Sequence, residues 1–233
     1  LYENGLVSSA AALKILARLR GDAHRIQAGE YDFSDAATPQ RVLDRLVEGD
    51  VRRYRFTVPE GLTVREIALK LKKEAFSDPE AFVSLALAKG SAQRMGIESP
   101  SLEGYLFPET YTLQARIPAE RLIEAMVDEF RRHITTELVE GAKSRGLTLH
   151  QLVTLASIVQ KEAGNLDEMP LISAVFHNRL KRGMPLQADP TVIYGIVGFN
   201  GNLTRKDLRT LTPYNTYRIK GLPPGPIANP GEE

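Results

Sequence analysis

The chain has 233 residues and no cysteine. That excludes disulfides and thiolate metal sites and leaves the compartment open. No run of 18 apolar residues occurs, so no stretch is long and apolar enough to cross a membrane as a helix. An excess of one charge is also missing. The 30 Lys and Arg face 29 Asp and Glu, for a net charge of +1, without the basic surplus of a nucleic-acid surface. There is no Gly-rich phosphate loop and no GxSxG elbow. The four histidines, His24, His133, His150 and His177, lack metal-ligand spacing, so neither a metal nor a cofactor is expected. Carboxylates, amides and aromatics remain, a set that suits carbohydrate chemistry. The sequence has no initiating Met and no signal peptide and stops just after a Pro/Gly-rich stretch. It is read as a fragment of something longer.

The stretch that organises the rest is Leu149 to Gly164, LHQLVTLASIVQKEAG. It is apolar nearly all round, which is the pattern of a buried helix. Gln160, Lys161 and Glu162 interrupt it near its end. At 3.6 residues per turn, Gln160 falls in the sector of Leu149 and Val153. Glu162 lies about 200° further round, beside Leu155 and Ile158. Two polar side chains thus leave opposite sides of an apolar helix, and each needs partners or a cavity.

Around it, Ser8 to Leu19 reads as a helix capped by Ser8 or Ser9, and His24 to Ser34 as a short strand around Tyr31 and Phe33. Pro39 to Glu48 is a helix between Thr38 and Gly49. Val51 to Val58 alternates as a strand, and Thr63 to Ala75 is a helix with a Thr63/Glu66 capping box. The sequence Tyr31-x-Phe33, Thr38, helix resembles Tyr54-x-Phe56, Thr63, helix, so a strand-turn-helix unit is expected twice. Pro79 to Ala88, Pro118 to Arg145 and Asp167 to Arg182 are further helices. Leu102 to Leu113, LEGYLFPETYTL, is extended, because Pro108 opposes both a helix and a central strand. Its Glu103, Tyr105, Phe107 and Tyr111 suit either a sugar cleft or a packed edge. From Pro185 onward, loops crowded with Gln187, Asp189, Thr191, Tyr194, Tyr214, Asn215, Thr216 and Tyr217 form a candidate binding region. Asp189-Pro190 also has the form of a helix start.

Three strings in this order, LASIVQKEAG, SAVFHNRLKRGMPLQADPTVIYGI and TPYNTYRIKGLPPGPIANPG, together with EGYLFPETY, resemble the endolytic murein transglycosylases of the MltG/YceG-like family. The resemblance runs from about Arg25 to Glu233. It implies an α+β protein: a small LysM-like α/β module, N-terminally truncated, over residues 1–98, then a mostly helical catalytic domain with short strands, C-terminally incomplete, over residues 99–233. It implies a single-pass bacterial inner-membrane protein, held by an N-terminal helix absent from this sequence, with its catalytic part periplasmic or extracellular. The expected partners are peptidoglycan glycan strands and the cell-wall synthesis machinery, with no nucleic acid.

The resemblance also implies the chemistry. Such enzymes cleave the β-1,4 bond between N-acetylmuramic acid and N-acetylglucosamine and leave 1,6-anhydro-muramyl ends, using one carboxylic acid. The family string SIVEKE places that acid at residue 160, where this chain has Gln. An amide cannot give and retake a proton, so a glycan-binding but nearly inactive chain is expected. A rival assignment gives the acid role to Glu162. Glu103, Tyr105, Glu162, Asn178, Gln187, Asp189, Tyr194, Asn215 and Tyr217 are the expected substrate-binding positions. Two other functions stay open: a non-catalytic peptidoglycan-binding protein, and a hydrolytic muramidase using Glu103 or Asp189 as second carboxylate.

Overall fold

The computed structural model describes residues 10–33 and 38–232. In chain order its elements are α1 (Ala10–Leu19), α2 (Pro39–Glu48), β1 (Arg53–Thr57), α3 (Val64–Glu74), α4 (Pro79–Leu87), α5 (Ser91–Arg94), β2 (Thr110–Gln114), α6 (Ala119–His133), α7 (Thr136–Ser144), α8 (Leu149–Glu162), α9 (Met169–Lys181), α10 (Asp189–Tyr194) and α11 (Arg205–Arg209). A 3-10 turn, Leu166–Glu168, precedes α9. The described residues are largely helical with one two-stranded sheet, β1 beside β2, which agrees with the expected α+β class.

The chain divides into two compact units: Leu1–Phe56 with Tyr111–Ile117, and Thr57–Thr110 with Pro118–Glu233. The smaller unit packs α1 on α2 through Leu13, Ala17, Val42, Leu43 and Leu46, with Tyr31 and Phe33 against them. Thr38 caps α2 by accepting from Arg41 N, Pro39 opens it, and Gly49 at φ 70° closes it, which is a conformation glycine takes without strain. The expected Ser8 or Ser9 cap lies outside the described residues, as does Ser34. Residues 24–33 form no strand. Tyr31 and Phe33 instead turn their rings onto the α1–α2 core, so the first of the two expected strand-turn-helix units lacks its strand.

In the larger unit the Thr63/Glu66 capping box forms as expected. A core of Leu155, Ile158, Val159, Met169, Phe176, Leu186, Ala188 and Ile227 surrounds one side of α8. The expected boundary at 98/99 falls inside this unit, because α4 packs on both α3 and α6. The single helix expected over Pro118 to Arg145 is two, α6 and α7. Thr135 breaks it by taking extended backbone and accepting from Leu138 N, so that it caps α7.

Candidate active site

α8 is fixed at both ends. Thr148 and Gln151 form a reciprocal capping box at its start, at 3.2 and 2.9 Å. Its two buried hydroxyls are satisfied locally: Thr154 donates to His150 O at 2.7 Å and Ser157 to Thr154 O at 2.7 Å. Ser157 Oγ also accepts from Ile227 N at 3.0 Å, which ties the C-terminal segment to the helix. Val153, Leu155, Ile158 and Val159 are buried.

The last turn of α8 then delivers Gln160 and Glu162 to different surroundings. Gln160 is half-buried, its Oε1 accepts from Gly231 N at 3.2 Å, and its stem lies against Gly61. The neighbouring Lys161 donates to Gly61 O at 3.2 Å. This is a packing niche of backbone and glycine. Glu162 is exposed and feels the charges of Asp189 and Arg179, and Tyr217 in turn feels that of Glu162. Burial raises its carboxyl above the usual range, Asp189 raises it further, and Arg179 opposes them. At the end of α8, Gln160 is thus the more buried of the two, and Glu162 is an exposed carboxyl.

Asp189 is not the helix cap its sequence suggests. It opens α10 without any side-chain capping bond, and its Oδ1 accepts from the Tyr217 hydroxyl at 2.7 Å. That bond, ahead of burial, pushes the Tyr217 phenol up to about 12. The loop leading to Asp189 is held from several sides. Gln187 N donates to Thr216 O at 3.1 Å and Ala188 N to Thr216 Oγ1 at 3.0 Å. The Thr191 and Thr216 hydroxyls lie 2.8 Å apart, and Arg179 donates to Leu186 O. Gln187 has φ 55°, an uncommon conformation for a residue with a Cβ. Its exposed amide has no hydrogen-bond partner among the described residues.

Three of the expected substrate-binding residues, Glu103, Tyr105 and Asn215, are buried. Glu103 is 3% exposed. Its Oε1 accepts from Val64 N at 2.9 Å and from Asn229 Nδ2 at 3.4 Å, and its Oε2 from Tyr194 Oη at 3.1 Å. Desolvation outweighs these donors and pushes the carboxyl up to about 7. Tyr105 is buried, with its hydroxyl 2.7 Å from His150 Nδ1. Pro224 O can only accept from His150 Nε2 at 2.8 Å, so in the neutral imidazole Nδ1 accepts from Tyr105. Asn215 is fully buried, donating to the carbonyls of Asp207, Leu208 and Thr210 while accepting from Tyr217 N. It shapes the turn that presents Tyr217.

Tyr194 is partly buried, donates to Glu103 and lies 4.9 Å from the Tyr214 ring. Asn178 lines a separate groove of about 600 Å³ with Arg145, His177 and Lys181. Sequence reasoning gave no role to Arg179 or Asn229. Asn229 Oδ1 accepts from Gly104 N and Leu106 N at 3.0 and 2.9 Å, and its Nδ2 donates to Leu62 O at 2.8 Å. In sequence it is only an Asn before a Pro. Among the described residues no group of three or more His, Asp or Glu is placed to hold a metal ion.

Comparison with known proteins gives concordant results. The model of the YceG-like family matches residues 1–233. An endolytic murein transglycosylase of Bacillus subtilis is 33% identical over 248 residues, covering 99% of this chain and 68% of that protein. One from Streptococcus pneumoniae is 32% identical, covering 88% of this chain and 43% of that protein. The crystal structure of a putative yceG-like protein from Listeria monocytogenes superposes with TM-score 0.62 at 31% identity, covering all of this chain and 81% of that one.

Proposed function

The chain belongs to the YceG-like family, and on that premise we propose that it is a peptidoglycan lytic transglycosylase whose single acid and base is Glu162. One observation carries the assignment. Of the three polar residues at the end of α8, only Glu162 is a carboxyl, and it lies within the electrostatic reach of a second carboxylate, a guanidinium and a phenol.

The reaction cleaves the β-1,4 bond between N-acetylmuramic acid and N-acetylglucosamine within glycan strands. Protonated Glu162 gives its proton to the glycosidic oxygen as the C1–O bond breaks, and positive charge develops on the muramic ring. The C6 hydroxyl then attacks C1 and its proton passes to the Glu162 carboxylate. The products are a 1,6-anhydro-muramyl end and a free 4-hydroxyl, and Glu162 returns protonated without water as nucleophile. Such an acid must hold its proton near neutral pH, which an apolar helix end favours. The exposed Gln187 amide, held on a strained loop, suits an N-acetyl group. On this reading the amide at residue 160 fills a structural niche and leaves the enzyme active. The catalytic part works outside the cytoplasmic membrane, where its substrate lies; no described helix is long and apolar enough to cross a membrane.

The test is release of anhydro-muropeptides from glycan strands. Glu162→Gln lowers it by about 10²–10⁴-fold, the usual worth of acid-base assistance, whereas Gln160→Glu changes it little. The reverse pattern rejects the assignment. Reducing ends without anhydro sugar point to a muramidase, and no cleavage by the unaltered chain points to a binding protein.

A further inference from the structure

Four residues, Leu186 to Asp189, are fastened more heavily than a connecting loop requires. Arg179 on α9 holds Leu186 O, and Thr216 holds both Gln187 and Ala188. Thr191 ties α10 back to the same loop, donating to Ala188 O at 2.7 Å. Tyr217, immediately after Thr216, takes Asp189 Oδ1. Leu186 and Ala188 are fully buried while Gln187 and Asp189 are exposed, so the loop alternates between anchoring and presenting. The Gln187 backbone at φ 55° is the local cost of that alternation. α10 also packs directly on α8, and Ala188, just before Asp189, shares a core with Ile158 and Val159 near the end of the helix that carries Glu162.

Resting on the assignment of Glu162 above, we infer that Asp189 is a positioning residue: its carboxylate, aimed by Tyr217 and the fastened loop, keeps the proton on Glu162 between turnovers, and Arg179 works against it. The charged and titratable groups facing Glu162 are Asp189 from α10, Arg179 from α9 and Tyr217 from the loop after α11. Lys161, on the same helix, is turned to Gly61 O, and Glu168, in the preceding turn of α9, to Gly164 N. They leave the balance to the first three.

An ionised neighbour disfavours a second negative charge, and a cation favours it. Asp189 therefore acts in both halves of the cycle. Before cleavage it opposes loss of the proton from Glu162 to solvent. After cleavage it makes the newly formed Glu162 carboxylate a stronger base toward the C6 hydroxyl. Arg179 holds the loop and also limits this effect, so that the proton can still leave for the glycosidic oxygen. Because the Asp189–Tyr217 bond is internal to the protein, the arrangement exists before substrate arrives.

The experiment is the pH profile of kcat/KM for anhydro-muropeptide release, measured on the unaltered chain and on Asp189→Asn, Arg179→Gln and Tyr217→Phe, each checked for cooperative unfolding. Activity requires protonated Glu162, so it falls on a basic limb. Removing the Asp189 charge eases ionisation of Glu162, and the limb moves to lower pH. Removing the Arg179 charge hinders ionisation, and the limb moves to higher pH. Tyr217→Phe frees the Asp189 carboxylate to turn toward solvent and moves the limb the same way as Asp189→Asn, but less. A merely structural role lowers the height of the profile and leaves the limb in place. Opposite movements in the Asp189 and Arg179 variants support the inference; limbs that stay put, or move together, overturn it. If Asp189→Asn does not fold, the Arg179 and Tyr217 variants must still move in opposite directions. Should Glu162→Gln remain active, the assignment of the acid fails first. Should it be inactive while the limbs stay fixed, only the role of Asp189 falls.

Discussion

Glu103 provides a quantitative check on the interior of the larger unit. Its carboxyl sits under Tyr194 and accepts only from donors: the α3 backbone at Val64, the Asn229 amide and the Tyr194 hydroxyl. Those donors favour the ionised form, yet burial at 3% exposure wins and places the group at about 7 rather than 4.5. In the unfolded chain the carboxyl reverts to its ordinary value, so between these two the folded state binds the extra proton. Stability from this group is full below about 4.5 and is lost as pH rises through about 7. At roughly 1.36 kcal/mol per unit, the displacement is worth about 3 kcal/mol. Glu103→Gln keeps the size and removes the titration. Chemical denaturation of both proteins from pH 4 to pH 8.5 should therefore show the unaltered chain losing about 3 kcal/mol relative to the variant across that window. Taking the difference between the two proteins cancels the other titrating groups they share. A difference that is flat with pH, or that grows in the opposite sense, refutes the account of burial outweighing the three donors.

Other substitutions probe the same framework. Asn229→Ala strands the buried N–H groups of Gly104 and Leu106, while Leu62 O keeps its bond from the residue 229 backbone; at about 1–3 kcal/mol for each buried group left unmade, it should lower stability by about 2 kcal/mol or more in denaturant titrations. Gly104→Ala is expected to destabilise by about 2–4 kcal/mol, because residue 104 sits at φ 88° and a Cβ there would lie 2.3 Å from the Pro226 Cβ. A calorimetric melting temperature unchanged by Gly104→Ala contradicts that packing.

Much of the scaffold was legible from residue pattern. The caps at Thr38, Thr63 and Thr148 are short-range devices, and each forms where its spacing indicates. The strand at Tyr31 and Phe33 was not legible, because the same alternating aromatics serve equally as rings laid on two helices. Helical geometry alone separated Gln160 from Glu162, but the charges that act on Glu162 come from residues 179 and 189, which only tertiary packing brings near it. The polar crowding after Pro185 did not distinguish side chains held inside from those left outside. Asn215 and Tyr217 are two positions apart, one fully buried and the other carrying the bond to Asp189. Glu103 and Tyr105 are buried and hydrogen-bonded within the protein, because aromatic and acidic residues that suit a sugar cleft equally suit a satisfied interior network.

The Asn229 bond to Leu62 spans 167 positions. Closing a loop of that length costs about 4–5 kcal/mol of chain entropy, and little of the return comes from neighbours in sequence. Assembly of the larger unit is therefore governed by contacts of high sequence separation, which slow folding. During synthesis Leu62 and the segment around Leu106 emerge long before the Asn229 amide they share. Until it arrives, the Glu103 carboxyl lacks one of its donors, and the nascent chain exposes a half-built interior that a chaperone or a protease can reach.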